Sequence, residues 1–223
     1  MNNTYEIDLW QSVENFKIVA KKLYPNVTEE NDNGEWEDEI EEFYDMFSAS
    51  INVIKNLSAY EVTEQTIDCL LYAIARDEEC EDIIYEILEY NDWFSELCKR
   101  VLQTNYINAK TQFARQLKRF DGDNSTKELI FKFLSCDDEY IERMALESLA
   151  YIYPEKAEKY AIEFFERKKY ESVVQQKMMA ISVLHKINSP KLEYYLKKSE
   201  ELNHIYLNDE VQRIRQERKD ISQ

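Results

Sequence analysis

The sequence predicts an all-α fold, and three observations predict it. Apolar residues recur at steps of three and four almost throughout. No segment sustains period-two alternation. The 223 residues include just two glycines and three prolines. Average usage would place roughly 15 Gly and 11 Pro in a chain of this length. Strand-rich and α/β folds draw on both residues for turns with positive or preset φ, so their scarcity disfavours such folds. It also removes any glycine-rich phosphate loop. With 44% hydrophobic and 13% aromatic residues, the chain can bury a sizeable core.

The elements follow from that spacing, about twelve helices joined by short connections. The first carries Leu9, Val13, Phe16, Ala20 and Leu23 and stops at Pro25. Asn31 to Gly34 is a turn. A second helix over 36–58 places Ile40, Phe43, Tyr44, Phe47, Ile51, Ile54 and Leu57 on one side. A third runs from Thr63 to Arg76 on Ile67, Leu70, Leu71 and Ile74, and a fourth carries Ile83, Ile84, Ile87 and Leu88. Asp92 is the expected cap of a fifth, and a sixth covers 106–120 before the turn Asp121-Gly122-Asp123-Asn124. Ser125-x-x-Glu128 has the form of a capping box opening a seventh with Leu129, Ile130, Phe133 and Leu134. Asp137 or Asp138 caps the eighth. Pro154 suits the first position of the ninth, where its missing N–H costs nothing. Ser172-x-x-Gln175 opens the tenth, Ser189 with Pro190 the eleventh, and Asn208 the last.

The later helices hint at a period. Ala145 to Ile152 aligns with Ala180 to Ile187 at an offset of 35, and Asp137-Asp138-Glu139-Tyr140 with Asn208-Asp209-Glu210-Val211 at 71. The run Asp138-Glu139-Tyr140-Ile141-Glu142-Arg143-Met144-Ala145-Leu146-Glu147-Ser148-Leu149 resembles the second helix of a HEAT-like repeat, most clearly over residues 125–188. That resemblance implies a short α-solenoid of antiparallel helix pairs acting as a binding scaffold, with no catalytic residues and no particular partner. One continuous domain, 1–223, is expected. Within it, residues 1–120 are acidic and without repeat signature, and residues 121–219 are HEAT-like.

Charge is divided along the chain. Residues 1–112 hold 25 acids and 8 bases, whereas residues 113–223 hold 20 of each, so the net charge of −17 lies in the first half. Ten acids and no Lys or Arg fall between Glu29 and Asp45, and nine acids with no base between Asp77 and Glu96. At helical spacing Asp38, Glu41, Glu42 and Asp45 share one face, opposite the apolar side of the second helix. Glu78, Glu79, Asp82, Glu86 and Glu89 lie opposite Ile83, Ile84, Ile87 and Leu88. These nine residues are the candidate partner-binding set. Two main readings stand for them, a solvated face that keeps the protein soluble or a surface that steers a basic partner, with a carboxylate metal site as a minor third. The acidic runs lack the D-x-D-x-D-G spacing of a calcium loop, and no metal or other cofactor is expected.

Motifs for catalysis are missing from the sequence. It has no H-E-x-x-H, G-x-S-x-G, Walker A or dinucleotide fingerprint. Of the two histidines, His185 reads as a helix-end residue. His204 follows Glu201 at the Glu-x-x-His spacing, but position 182 is Ser, so the second pair of a di-iron bundle is missing. Cys69, Cys80, Cys98 and Cys136 are widely spaced among apolar neighbours and read as reduced and buried. The first residues lack a basic n-region and an apolar h-region, and no apolar run reaches membrane-spanning length, so a cytoplasmic protein without membrane contact is expected. Sixteen tyrosines fit interface anchors as well as half-buried helix positions.

The expectation is a non-enzymatic cytoplasmic binding protein whose acidic half engages a basic protein. Its sharpest form is a bacterial immunity protein or antitoxin against a nucleic-acid-directed toxin. The alternative is a HEAT-like scaffold inside a larger assembly. A HEAT-like DNA glycosylase is a minor third reading, since the acidic field opposes nucleic-acid binding and bases such as Arg167, Lys169, Lys198 and Arg213 have acids nearby.

Overall fold

The computed structural model describes residues 3–25, 40–77, 79–171 and 173–221. The turn at Asn31 to Gly34, the start of the second helix with Asp38, and the positions Glu78 and Ser172 lie outside the described residues. Within them the secondary structure is helical, with no strand. The chain separates into two compact units, residues 1–132 and 133–223.

In the first unit, α1 (Thr4–Leu23), α3 (Glu64–Arg76) and α6 (Ile107–Gln116) neighbour one another in turn, as do α2 (Glu41–Asn56), α4 (Asp82–Ile87) and α5 (Asn91–Val101). Helix α3 lies at the centre, touching α1, α2, α5 and α6. Its residues Cys69 to Arg76 are all buried, so it is apolar around most of its circumference. Tyr72, Ala73, Ala75 and Arg76 join the four aliphatic residues expected there. Phe16 of α1 meets Phe43 and Tyr72 edge-on at 6.1 and 6.2 Å.

Helix α2 is turned relative to expectation. Its buried stripe passes through Phe43, Met46, Ala49, Ser50, Val53 and Ile54, while Tyr44 is 54% exposed and Phe47 and Ile51 are half-buried. Met46, Ala49 and Val53 supply the seam against neighbouring helices, and the larger aromatic Tyr44 keeps its phenol in water.

Several caps differ from the local reading. Asp138 caps α9 (Glu139–Ile152) and Pro154 opens α10 (Pro154–Glu166), as expected, while Thr63, where the third helix is expected to begin, is its cap. Asp92, however, lies inside α5, where its carboxylate accepts from the Ser58 hydroxyl at 2.8 Å and the Ala59 N–H at 3.0 Å. Asp123, not Ser125, opens the seventh helix, taking the Thr126 N–H at 2.8 Å. That helix is broken into α7 (Asn124–Lys127) and α8 (Ile130–Phe133). Helix α12 (Leu192–Glu201) begins two residues after Pro190, and α13 (Ile205–Ile221) begins before Asn208, which sits in its first turn.

Glycine scarcity is met by other residues. The left-handed positions among the described residues are Glu81, Asp137, Asn188 and Asn203, at φ from 49° to 59°, and Gly122 is not one of them. Asn188 ends α11 (Val173–Lys186): its N–H bonds to His185 O at 3.0 Å and the following Ser189 N–H to Leu184 O at 2.9 Å. Asn and Asp tolerate this conformation better than most side-chain-bearing residues. Gly122 serves a different need. A Cβ there would run into the Phe120 ring, which stacks on Phe94 at 4.7 Å.

In the second unit, α11 packs beside α9 and α13, while α10 packs on α9 and α11, and α12 on α11 and α13. Ala145 of α9 and Ala180 of α11, the aligned pair at offset 35, are both fully buried. The alignment at 71 does not hold for caps, because Asp138 caps α9 while Asp209 lies within α13.

Candidate functional site

The first acidic group stands on the opening turns of α2. Glu41 and Asp45 are exposed, as expected, whereas Glu42, one turn before the buried Met46 on the same face, is half-buried. Acids at a helix N-terminus are also favoured by the helix dipole. The rotation of the buried stripe toward Met46 and Ala49 explains why Glu42 is the more covered of the three.

The second group is less uniform. Glu79, Asp82 and Glu89 are exposed, and Ile83, Ile84 and Ile87 are buried beneath α4. Glu86 is half-buried and pairs with Lys55 of α2 at 3.1 Å. Lys55 stands ten residues beyond Asp45, about 15 Å further along the helix axis. The structure thus ties some of the second group to the far end of α2.

Other acids of the same unit are taken into the fold. Glu6, 4% exposed, accepts from the Thr63 N–H at 2.9 Å and the Thr66 hydroxyl at 2.7 Å, so an acid of α1 closes the N-terminus of α3. Burial pushes its carboxyl up, but these bonds and the Asn3 N–H outweigh it and hold the group below its usual value. Asp77, 2% exposed, accepts the Ile83 N–H at 2.6 Å and so opens α4. Glu81, 5% exposed, receives Gln116 Nε2 at 2.8 Å and an Arg115 guanidinium N–H. Gln112 Nε2 donates to Ile74 O at 2.7 Å and Asp77 O at 2.9 Å, satisfying carbonyls at the end of α3. Sequence reasoning places Asp77 inside an acidic surface run. Its structural role is visible only through partners elsewhere.

No family model, curated protein or solved structure matches this chain.

The functional reading therefore rests on the arrangement itself. In the second unit, several bases are engaged. Glu142, with its side chain 1% exposed, meets Lys169 Nζ at 2.8 Å, Arg167 Nη1 at 2.6 Å and the Tyr170 hydroxyl at 3.0 Å, which fastens the α10–α11 connection to α9. Lys198 pairs with Glu166 at 2.6 Å and Arg215 with Glu200 at 2.6 Å, and Arg213 binds Glu210 and Glu217. His185 Nε2 lies 3.1 Å from Glu217, at the end of α11, in a groove of about 350 Å³ with Tyr151, Met179 and Arg213. His204 faces Tyr206 across 5.6 Å.

Among the described residues, no group of three or more His, Cys, Asp or Glu side chains is placed to hold a metal ion. Nor is any described helix long and apolar enough to cross a membrane. The cysteines depart partly from expectation. Cys69 and Cys98 are buried, Cys136 is half-buried and Cys80 is exposed in the α3–α4 connection. Burial pushes the Cys69 thiol up to about 11 and that of Cys98 higher still, so neither is a ready nucleophile.

Proposed function

We propose that this chain is a non-enzymatic, cytoplasmic protein-binding module whose acidic N-terminal half engages a basic protein. One observation carries the reading. Glu41, Asp45, Asp82 and Glu89 stay at the surface with no ion pair among the described residues, whereas Glu6, Asp77 and Glu81 of the same unit are drawn inside. The outer acids remain available to act at a distance on a partner of opposite charge. The sharpest form is an immunity protein or antitoxin. A toxin acting on nucleic acid needs a basic cleft, and an acidic helical surface is suited to occlude it.

The second reading is a scaffold. The contacts of α11 with α9 and α13, together with those of α10 with α9 and α11 and of α12 with α11 and α13, are what support reading this unit as a HEAT-like stack of helix pairs. Recovery of partners from the source cell separates the two. Wild type and a Glu41→Lys, Glu42→Lys, Asp45→Lys variant are used as bait, with bound proteins identified by mass spectrometry. The acidic-surface reading predicts a basic protein retained by wild type and lost by the variant. The same proteins on both baits would favour the scaffold.

A further inference from the structure

The tyrosine rings of this protein repeatedly carry cations. Arg143 stands 4.7 Å from the Tyr140 ring, Lys186 4.2 Å from Tyr151 and Arg119 5.2 Å from Tyr85. All three tyrosines are more than a third exposed. Tyr85 is the informative case, because it sits in the second acidic group with Asp82 three residues before it and Glu86 directly after. The negative face of the ring and the adjacent carboxylates together favour a guanidinium there.

Tyr44 repeats that arrangement on α2, with Glu41 three residues before it and Asp45 directly after. Its ring meets Phe43 edge-on at 5.7 Å, and the residue is 54% exposed. Helix α2 holds one base, Lys55, and that side chain is paired with Glu86. The helix therefore presents an aromatic face and two carboxylates to solvent, and its one cation is committed elsewhere.

We propose that Tyr44, flanked by Glu41 and Asp45, is the docking position for an arginine side chain of the basic partner. This rests on the acidic-surface reading above and names its anchor. A planar guanidinium can stack on the ring while its N–H groups reach a neighbouring carboxylate, which a compact ammonium does less well. Tyrosine suits such a role because it contributes a large rigid surface at low entropic cost.

The test uses a synthetic nine-residue peptide of alternating arginine and glycine at low salt. Its affinity is measured by calorimetry and the Tyr44 ring protons are followed by NMR, assigned by their loss in Tyr44→Leu. The peptide is expected to shift the Tyr44 ring signals. Tyr44→Leu should weaken binding about two- to fivefold, and Tyr44→Phe, which keeps the ring, should stay within about twofold of wild type. A citrulline–glycine peptide, equal in shape and uncharged, should bind far more weakly. An unshifted ring, or Tyr44→Leu binding as tightly as wild type, would overturn the anchor. A Glu41→Gln, Asp45→Asn variant separates the two levels. If it weakens the peptide while Tyr44→Leu does not, the acidic surface stands and the anchor falls. If neither variant weakens binding, or wild type does not bind, both fall.

Discussion

Glu6 Oε1 lies 2.7 Å from the hydroxyl of Thr66, across 60 residues of sequence, and the pair joins the first turn of α1 to the first turn of α3. Trp10 Nε1 donates to the same threonine oxygen at 3.0 Å. Removing the carboxylate strands the Thr63 N–H and leaves the Thr66 hydroxyl short of a partner. Glu6→Ala should therefore cost about 2 kcal/mol, read as a lower urea midpoint at unchanged slope, with Glu6→Gln in between. A midpoint within error of wild type would mean that this bond adds nothing net.

Acid should act through the same residue. The Glu6 and Asp123 carboxyls are both held below their usual values, Asp123 mainly by the Ser125 hydroxyl and then by Thr126 and Ser95. A carboxyl lowered on folding contributes stability that is complete above its unfolded value and is lost as pH falls through its folded one. The stability gap between wild type and Glu6→Gln should thus be full at pH 7 and shrink progressively below about pH 4.5. A gap that widened on acidification would reverse the assignment. Comparing the two proteins cancels the separate gain from discharging an acidic chain.

Gly122 tests close approach rather than backbone freedom. Gly122→Ala should destabilise the protein by about 2 kcal/mol, because the methyl must displace Phe120 from its stack on Phe94. Phe120→Leu in the same background should restore some of the loss. Equal melting of wild type and Gly122→Ala would show that the ring moves aside freely.

Ala145 is fully buried in α9, among Ile141, Leu146 and Leu149 of the same helix. Ala145→Glu inserts both volume and charge, so a loss of about 3 kcal/mol or more is expected, or failure to fold. Ala145→Gly, which adds neither, should cost about 1 kcal/mol through helix propensity alone. An unchanged melting temperature for the Glu variant would remove Ala145 from the packed seam.

What the sequence shows of this fold is what it encodes locally. Thr63, Asp138 and Pro154 mark helix starts because their partners are within three residues or are the chain's own geometry. The outward placement of Glu41, Asp45, Asp82 and Glu89 follows from helical period. Asp92 defeats local reading because its partners, Ser58 and Ala59, are more than thirty residues away, and Glu81 because Arg115 and Gln116 are equally distant. Spacing alone groups Tyr44 with the core. An adjacent position offers Met46, Ala49 and Val53 as a better-packing stripe, a choice set by the neighbouring helices.

The central claim concerns attraction between the acidic surface and a basic partner, and the association rate reports it most directly. With the recovered partner immobilised, the rate constant is measured from low to moderate salt for wild type and for Glu41→Lys, Glu42→Lys, Asp45→Lys. Attraction at a distance predicts that the wild-type rate falls steeply with salt. It also predicts that the variant associates about tenfold or more slowly at low salt, with little change in melting temperature. Equal rates and equal salt dependence for the two proteins would contradict it.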